Sequence, residues 1–194
     1  MANNRKMIIV SAPSGAGKTT IVKYLLANIP NLTFSVSACS RQKRPNEIEG
    51  VSYYFMSIEE FKAKIQNDEF VEWQQVYENK YYGTLKSEIE RIWDLNKYIA
   101  FDVDVLGALN IKKLYGSNAL SIFIMPPSLE VLEQRLRNRN TNSEEDIRQR
   151  LQKAKFEMSF SDQFDNIIIN DDLQTAEYEA LTSTPPKGLP AVRK

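Results

Sequence analysis

A chain of 194 residues has the length of one compact domain with room for one inserted lobe. Its 42% hydrophobic and 26% charged residues describe an ordinary globular protein and argue against a disordered chain, a collagen or a coiled-coil rod. Basic and acidic residues balance at 25 each, so overall charge gives no reason to expect nucleic acid or an anionic membrane as partner, and the absence of histidine excludes a Ser-His-Asp or Cys-His engine, a histidine zinc site and a histidine base. The lone Cys39 cannot form an internal disulfide, which fits a reducing cytoplasm.

Arg5 and Lys6 precede a short apolar run that Ser11, Pro13 and Ser14 interrupt, so the start reads as a strand, not an export signal. No apolar run approaches the roughly 18 residues of a membrane span. Strand-length apolar runs alternate with segments of helical period, the pattern of βα units around a parallel sheet. Strands of that sheet are expected at residues 7–11, 33–38, 98–103, 120–125 and 166–169. Ile21, Val22, Leu25, Leu26 and Ile29 make the apolar stripe of a first helix that Pro30 ends. Between Arg41 and Gly83 the texture changes: alternating pieces at 51–55 and 70–76 flank a helix at 58–66, which suggests an inserted lobe. Further helices are expected at 85–94, 107–114, 129–139, 144–159 and 173–182. Ser57-x-x-Glu60 matches a capping box and Ser143-x-x-Asp146 is a weaker version of it. The chain therefore divides into a core (1–38 and 97–182), a lobe (39–96), a lid at about 135–155 and a proline-rich tail (183–194) expected to be extended or disordered.

Between the first strand and helix lies Ala12-Pro13-Ser14-Gly15-Ala16-Gly17-Lys18-Thr19-Thr20, which matches G-x-x-x-x-G-K-[S/T] except that Ala12 replaces the first glycine. Small residues let the backbone wrap closely, so successive N–H groups and the helix N-terminus face phosphate oxygens. Lys18 adds a mobile charge, and Thr19 a hydroxyl suited to Mg²⁺ shared with triphosphate oxygens.

A second group of polar residues follows the second strand. Arg41 and Arg44 are spaced so that two guanidinium forks can clamp one phosphate, although such a basic run is also what a solvated loop looks like. Glu72, within the apolar Phe70-Val71-Glu72-Trp73, is either a solvent-facing strand position or a carboxylate that needs a donor; the two-donor edge of guanine is one that fits. Asp102 and Asp104 end an apolar strand on one face, where a P-loop fold places its metal-facing carboxylate, unless one merely caps the next helix. From Gln134 to Lys155 basic residues outnumber acidic ones by seven to three around a small polar turn. They can close over transferring phosphates or be two solvated helix faces.

In order along the chain, the P-loop, Ser37 with Arg41 and Arg44, Glu47-x-x-Gly50, Tyr53-Tyr54-Phe55, Phe70-Val71-Glu72-Trp73, Tyr82-Gly83-Thr84, Asp102-Val103-Asp104 with Gly107, Arg135-x-x-x-Arg139, Arg150 and Asn170-Asp171-Asp172 resemble the guanylate kinase family from about Met7 to Leu181. The resemblance implies a P-loop NTPase-like three-layer α/β/α fold with a parallel central sheet, a small mixed α/β lobe that binds the nucleoside monophosphate, and a helical lid. It implies transfer of the γ-phosphoryl group of ATP to GMP with Mg²⁺, in a cytoplasmic enzyme. Ser14, Gly15, Ala16, Gly17, Lys18, Thr19, Thr20 and Asn170 would bind ATP, with Asn170 near the adenine. Arg41, Arg44, Tyr53 and Tyr82 would take the phosphate of GMP, Ser37, Glu72, Thr84 and Asp104 would read its base, and Gly83 and Asp102 would also belong to the GMP site. Lys18, Arg41, Arg135, Arg139 and Arg150 would act on the transferring phosphate, and Thr19, with Asp102 through water, would hold Mg²⁺.

Cys39-Ser40 stands where the family usually has two threonines, Thr84 where serine is common, and Pro45 follows the second arginine instead of preceding it. The absence of histidine is consistent with this chemistry, because an anionic phosphate oxygen attacks without first losing a proton. Positioning and charge neutralisation then do nearly everything. Two other readings remain: a P-loop kinase for another phosphorylated acceptor, which has no need of Glu72 and Ser37, and a non-catalytic interaction module, which has no need of Lys18 and Thr19.

Overall fold

The computed structural model of the chain describes residues 6–138 and 143–183. It opens with β1 (Met7–Ser11), α1 (Lys18–Asn28) and β2 (Leu32–Phe34). An insertion follows, made of β3 (Ala38–Cys39), β4 (Tyr54–Phe55), α2 (Ile58–Gln66), β5 (Phe70–Tyr77) and β6 (Lys80–Leu85). The chain then runs through α3 (Lys86–Asp94), β7 (Tyr98–Asp102), α4 (Val105–Tyr115), β8 (Ala119–Met125), α5 (Leu129–Arg137), α6 (Glu144–Met158), β9 (Asn166–Ile169) and α7 (Leu173–Thr182).

The main sheet is wholly parallel, in the order β2-β7-β1-β8-β9. Its centre, β1, is buried at every position, as a strand covered on both faces must be. Alternation sends Ile8 and Val10 to a core shared with Ile21, Val22 and Leu25 of α1 and Ala176 and Ala180 of α7. Met7 and Ile9 point the other way, against Ile89 and Ile92 of α3 and Ala108 and Ile111 of α4. The result is the expected three layers, with each fully buried Ile or Leu contributing about 1.5–3 kcal/mol.

The insertion has its own four-stranded sheet, β4-β3-β6-β5, in which β5 and β6 form an antiparallel hairpin and β3 pairs parallel with β4. Phe61 of α2 fills its core, stacked on Phe70 and Tyr81. Both capping boxes form, the Asp146 version included: Ser57 N–H donates to Glu60 and Ser143 N–H to Asp146, while each serine hydroxyl accepts the backbone N–H of its acidic partner.

Several expected elements change. The strand expected at 33–38 splits between the two sheets: Ser35 N–H still reaches Ala100 O at 2.9 Å, but Val36 N–H turns to Glu88 Oε1 at 3.1 Å and β3 then joins the insertion. The piece at 51–55 is a strand only over Tyr54–Phe55, and β6 is a strand that the chain reading did not anticipate. Helix α3, placed with the lobe by that reading, packs its apolar side on the main sheet. Helix α4 starts two residues early because Asp104 caps it, accepting Gly107 N–H at 2.8 Å. The end of the helix expected at 129–139, and the tail from 184 onward, lie outside the described residues. Among the described residues no helix is long and apolar enough to cross a membrane.

Candidate active site

The turn between β1 and α1 curls because Gly15 and Gly17 take φ of +99° and +97°, in the left-handed region that side chains resist. At Gly17 the contact is equally restrictive, since a Cβ there would stand 2.2 Å from Asn170 Nδ2. Asn170, only 4% exposed, donates that amide to Ala16 O at 2.7 Å and so ties the end of β9 to the loop. Its side chain thereby fixes the shape of the turn. Lys18 forms an ion pair with Asp102 and donates to Val103 O at 3.2 Å. Thr19 and Thr20 are exposed in the first turn of α1, whose N-terminus favours anions.

This loop borders a cavity of about 370 Å³ that also takes in Asp102, Asp104, Lys153 and Glu157. Helices α5 and α6 pack beside it, and α6 supplies Lys153 and Glu157 to its wall. Leu132 and Leu136 of α5 pack with Ala154 of α6, and the two leucines lie against Gly15. Arg150 Nη1 donates to Ser14 Oγ at 2.7 Å, and Arg135 Nη2 to Asn170 O at 2.9 Å. Arg139 lies outside the described residues.

A second cavity, of about 150 Å³, opens under the β5–β6 hairpin, with Ser37, Tyr53, Glu72, Gln74, Tyr82 and Asp104 among its walls. Glu72 Oε1 accepts the hydroxyl of the fully buried Thr84 at 2.7 Å. Burial, helped by the charge of Asp104 and opposed by Thr84, pushes the Glu72 carboxyl up to about 7. Gly83 is set by packing: a Cβ there would come 2.7 Å from Glu72 O and 2.9 Å from both Phe70 and Trp73.

Arg41 reaches this cavity through Tyr82, one of its walls, and its guanidinium is held from several sides. Its fork grips Glu47 at 2.6 and 2.5 Å, its Nε donates to Tyr82 OH at 3.1 Å, and its plane lies 5.0 Å from the ring of Tyr53. The guanidinium holds the Glu47 carboxyl down to about 2. Arg44 is exposed, and its backbone N–H reaches Glu47 at 2.8 Å.

The two cavities share Asp102 and Asp104 as walls. A phosphate-binding loop thus faces a pocket with a half-buried carboxylate across a pair of aspartates. Residues 4–184 match the family model described as guanylate kinase. The chain belongs to the guanylate kinase family.

Similarity extends over most of the chain. A guanylate kinase of Bacteroides thetaiotaomicron is 51% identical over 91% of this chain and 86% of its own, and one of Porphyromonas gingivalis is 54% identical over 88% and 91%. The crystal structure of a guanylate kinase from Anaplasma phagocytophilum superposes with a TM-score of 0.67 at 29% identity, covering 90% of this chain and 81% of that one.

Within this guanylate kinase fold, three groups at or beside the site escaped the chain reading, Gln74, Glu157 and Glu88, while Lys153 belongs to the basic run already read at 134–155. Gln74 donates to Asp104 Oδ1 at 3.0 Å, and Lys153 and Glu157 line the P-loop cavity, with burial raising the Glu157 carboxyl. Glu88, 2% exposed, accepts from Val36 N, Tyr54 OH and Arg91, joining the core edge, the inserted sheet and α3. A glutamine in an alternating strand and acids on amphipathic helices look like solvent-facing positions. Glu47 alone had a signal, its place in Glu47-x-x-Gly50.

Proposed function

We propose that the P-loop cavity takes ATP and the facing cavity GMP, with the γ-phosphoryl group passing between them. The activity of the chain is the ATP-dependent phosphorylation of GMP to GDP. The observation that carries the assignment of the two sites is their common wall, Asp102 and Asp104, between the phosphate loop and the half-buried Glu72.

On this reading the loop N–H groups and Lys18 grip the donor phosphates, and Lys18 exchanges Asp102 for phosphate when ATP arrives. Arg41, with Tyr53 and Tyr82 as its platform, takes the GMP phosphate in place of Glu47. Glu72 accepts the N1–H and one N2–H of guanine, with Thr84 holding its other lone pairs in place. Arg135 and Arg150 sit at the lid edge of the P-loop cavity, where closure brings them to the transferring group. Asn170 acts through the loop it braces.

The donor set suits Mg²⁺: Thr19 and Asp102 offer oxygen alone, and no group of three or more His, Cys, Asp or Glu able to cage a metal occurs among the described residues, so nucleotide phosphates complete the shell. When bound, the ion supplies charge neutralisation of the β- and γ-phosphates. Attack by an anionic phosphate oxygen needs no general base, and exclusion of water by the lid and the inserted sheet prevents hydrolysis. A cytoplasmic location fits these nucleotide substrates.

The test is ADP release with ATP and Mg²⁺ against GMP, AMP, CMP and UMP. GMP is expected to exceed the others in kcat/KM by at least about a hundredfold, the discrimination of a site built to hydrogen-bond its base. Equal rates with AMP and GMP would refute the base assignment.

A further inference from the structure

Gln74 follows Glu72 by two positions on β5, so both side chains leave the same face of the hairpin, Glu72 opposite Thr84 and Gln74 opposite Tyr82. Both line the acceptor cavity. Gln74 Nε2 lies 3.0 Å from Asp104 Oδ1, and because a carboxylate only accepts, the nitrogen must be the end that faces it. The same Oδ1 accepts Gly107 N–H at 2.8 Å. One bond leaves a carboxylate free to swing about its oxygen, while two donors on Oδ1 fix its plane. Oδ2 carries no hydrogen bond among the described residues.

Asp104 and Glu72 converge over Gly107: a Cβ on that glycine would stand 2.9 Å from Glu72 Oε2 and 3.2 Å from Asp104 Oδ1. Two acceptor carboxylates therefore meet at one corner of the cavity. The guanine edge offers three hydrogens, one on N1 and two on N2. Glu72 has one oxygen engaged by Thr84 and suits N1–H and the nearer N2–H, which leaves the outer N2–H in need of an acceptor.

We propose that Gln74 is a specificity-determining positioning residue, whose amide N–H holds Asp104 so that Oδ2 receives the outer hydrogen of the purine 2-amino group. The inference rests on the GMP reading of this cavity and adds to it a selection for the 2-amino group. Loss of the amide lets the Asp104 carboxylate rotate, so substrates that carry the 2-amino group lose an acceptor and those without it lose nothing.

The experiment compares GMP with inosine monophosphate, which differs only by lacking the 2-amino group, in the wild type, Gln74→Leu and Gln74→Met. Gln74→Leu is expected to lower kcat/KM for GMP about tenfold through KM, with kcat and the inosine monophosphate kinetics within about twofold, so that the preference narrows about tenfold. Gln74→Met keeps the length of the side chain but offers no donor, and it should narrow the preference at least as far. That variant carries the test alone if the leucine variant does not fold. Equal losses with both substrates, or an unchanged preference in either folded variant, would overturn the inference while leaving the acceptor site intact. A wild type that uses both substrates equally would overturn the guanine reading and this inference together.

Discussion

The proton on Glu72 gives the most demanding test of the acceptor site. Its carboxyl, pushed up to about 7 by burial and by Asp104, must be ionised to accept two N–H groups from guanine. Apparent affinity for GMP then falls as one plus the ratio of proton concentration to the acid constant, about twofold at pH 7 and about elevenfold at pH 6. The phosphate of GMP titrates near pH 6 and adds its own acid limb, so the wild type alone cannot separate the two. Glu72→Gln can. It removes the carboxyl, and its amide places a donor against a guanine N–H. At pH 8, kcat/KM for GMP should fall by roughly 2–4 kcal/mol, about thirty- to a thousandfold. The limb near pH 7 should vanish with it, and only the limb near pH 6 should remain. The assay is initial-rate ADP release from pH 5.5 to 9 at saturating ATP. A midpoint near 7 that persists in Glu72→Gln, or a variant with wild-type kcat/KM, would refute the reasoning.

The same group makes a prediction about stability. A carboxyl raised from 4.5 to about 7 is protonated in the native state where the unfolded chain is ionised, so stability falls as pH rises through that window, by about 3 kcal/mol in all. Glu72→Gln should therefore raise Tm at pH 8 without nucleotide and change it little at pH 4.5; equal shifts at both would assign the effect to packing. Lys18→Met should lower kcat more than tenfold while GMP affinity by titration calorimetry stays within about twofold, since Lys18 lies with the loop and Asp102. Gly17→Ala should cost at least about 2 kcal/mol of stability in urea denaturation and weaken ATP binding, because φ of +97° and the 2.2 Å approach of Asn170 both oppose a Cβ. An alanine variant with wild-type ATP affinity would show that the loop tolerates a different path.

Where physics is local, the chain reading located elements well. β1, β9, α2 and α7 have their expected bounds, because runs such as Met-Ile-Ile-Val and the Ser57 cap specify them within a few residues. The misses are non-local. Nothing between Thr33 and Ala38 announces a change of sheet; the change is made by Ala100 and Glu88, more than fifty residues away, which take the backbone N–H groups of Ser35 and Val36. β6 is hidden by Gly83, a poor strand former in isolation, which is required there because β5 passes too close for a side chain. The P-loop could be read as a string, since its contacts are its own backbone. Gln74 could not, since its meaning lies in Asp104, thirty residues on.

The cations of the proposed site share one arrangement. Lys18 is held by Asp102 and Arg41 by Glu47, each where, on the proposed reading, a phosphate takes over the contact. A free guanidinium or ammonium on a flexible stem would lose side-chain entropy on every binding event; one already held by a carboxylate has lost it on folding. The carboxylate also keeps neighbouring cations from repelling one another before the nucleotide arrives. The exchange is nearly balanced, anion for anion. A lone phosphate therefore gains little by displacing Glu47 or Asp102. A nucleotide gains more, because its base is held in the pocket of Glu72 or its other phosphates in the loop, and the displacement becomes intramolecular. Recognition of the whole substrate, and not of its charge, is what releases the cations for transfer.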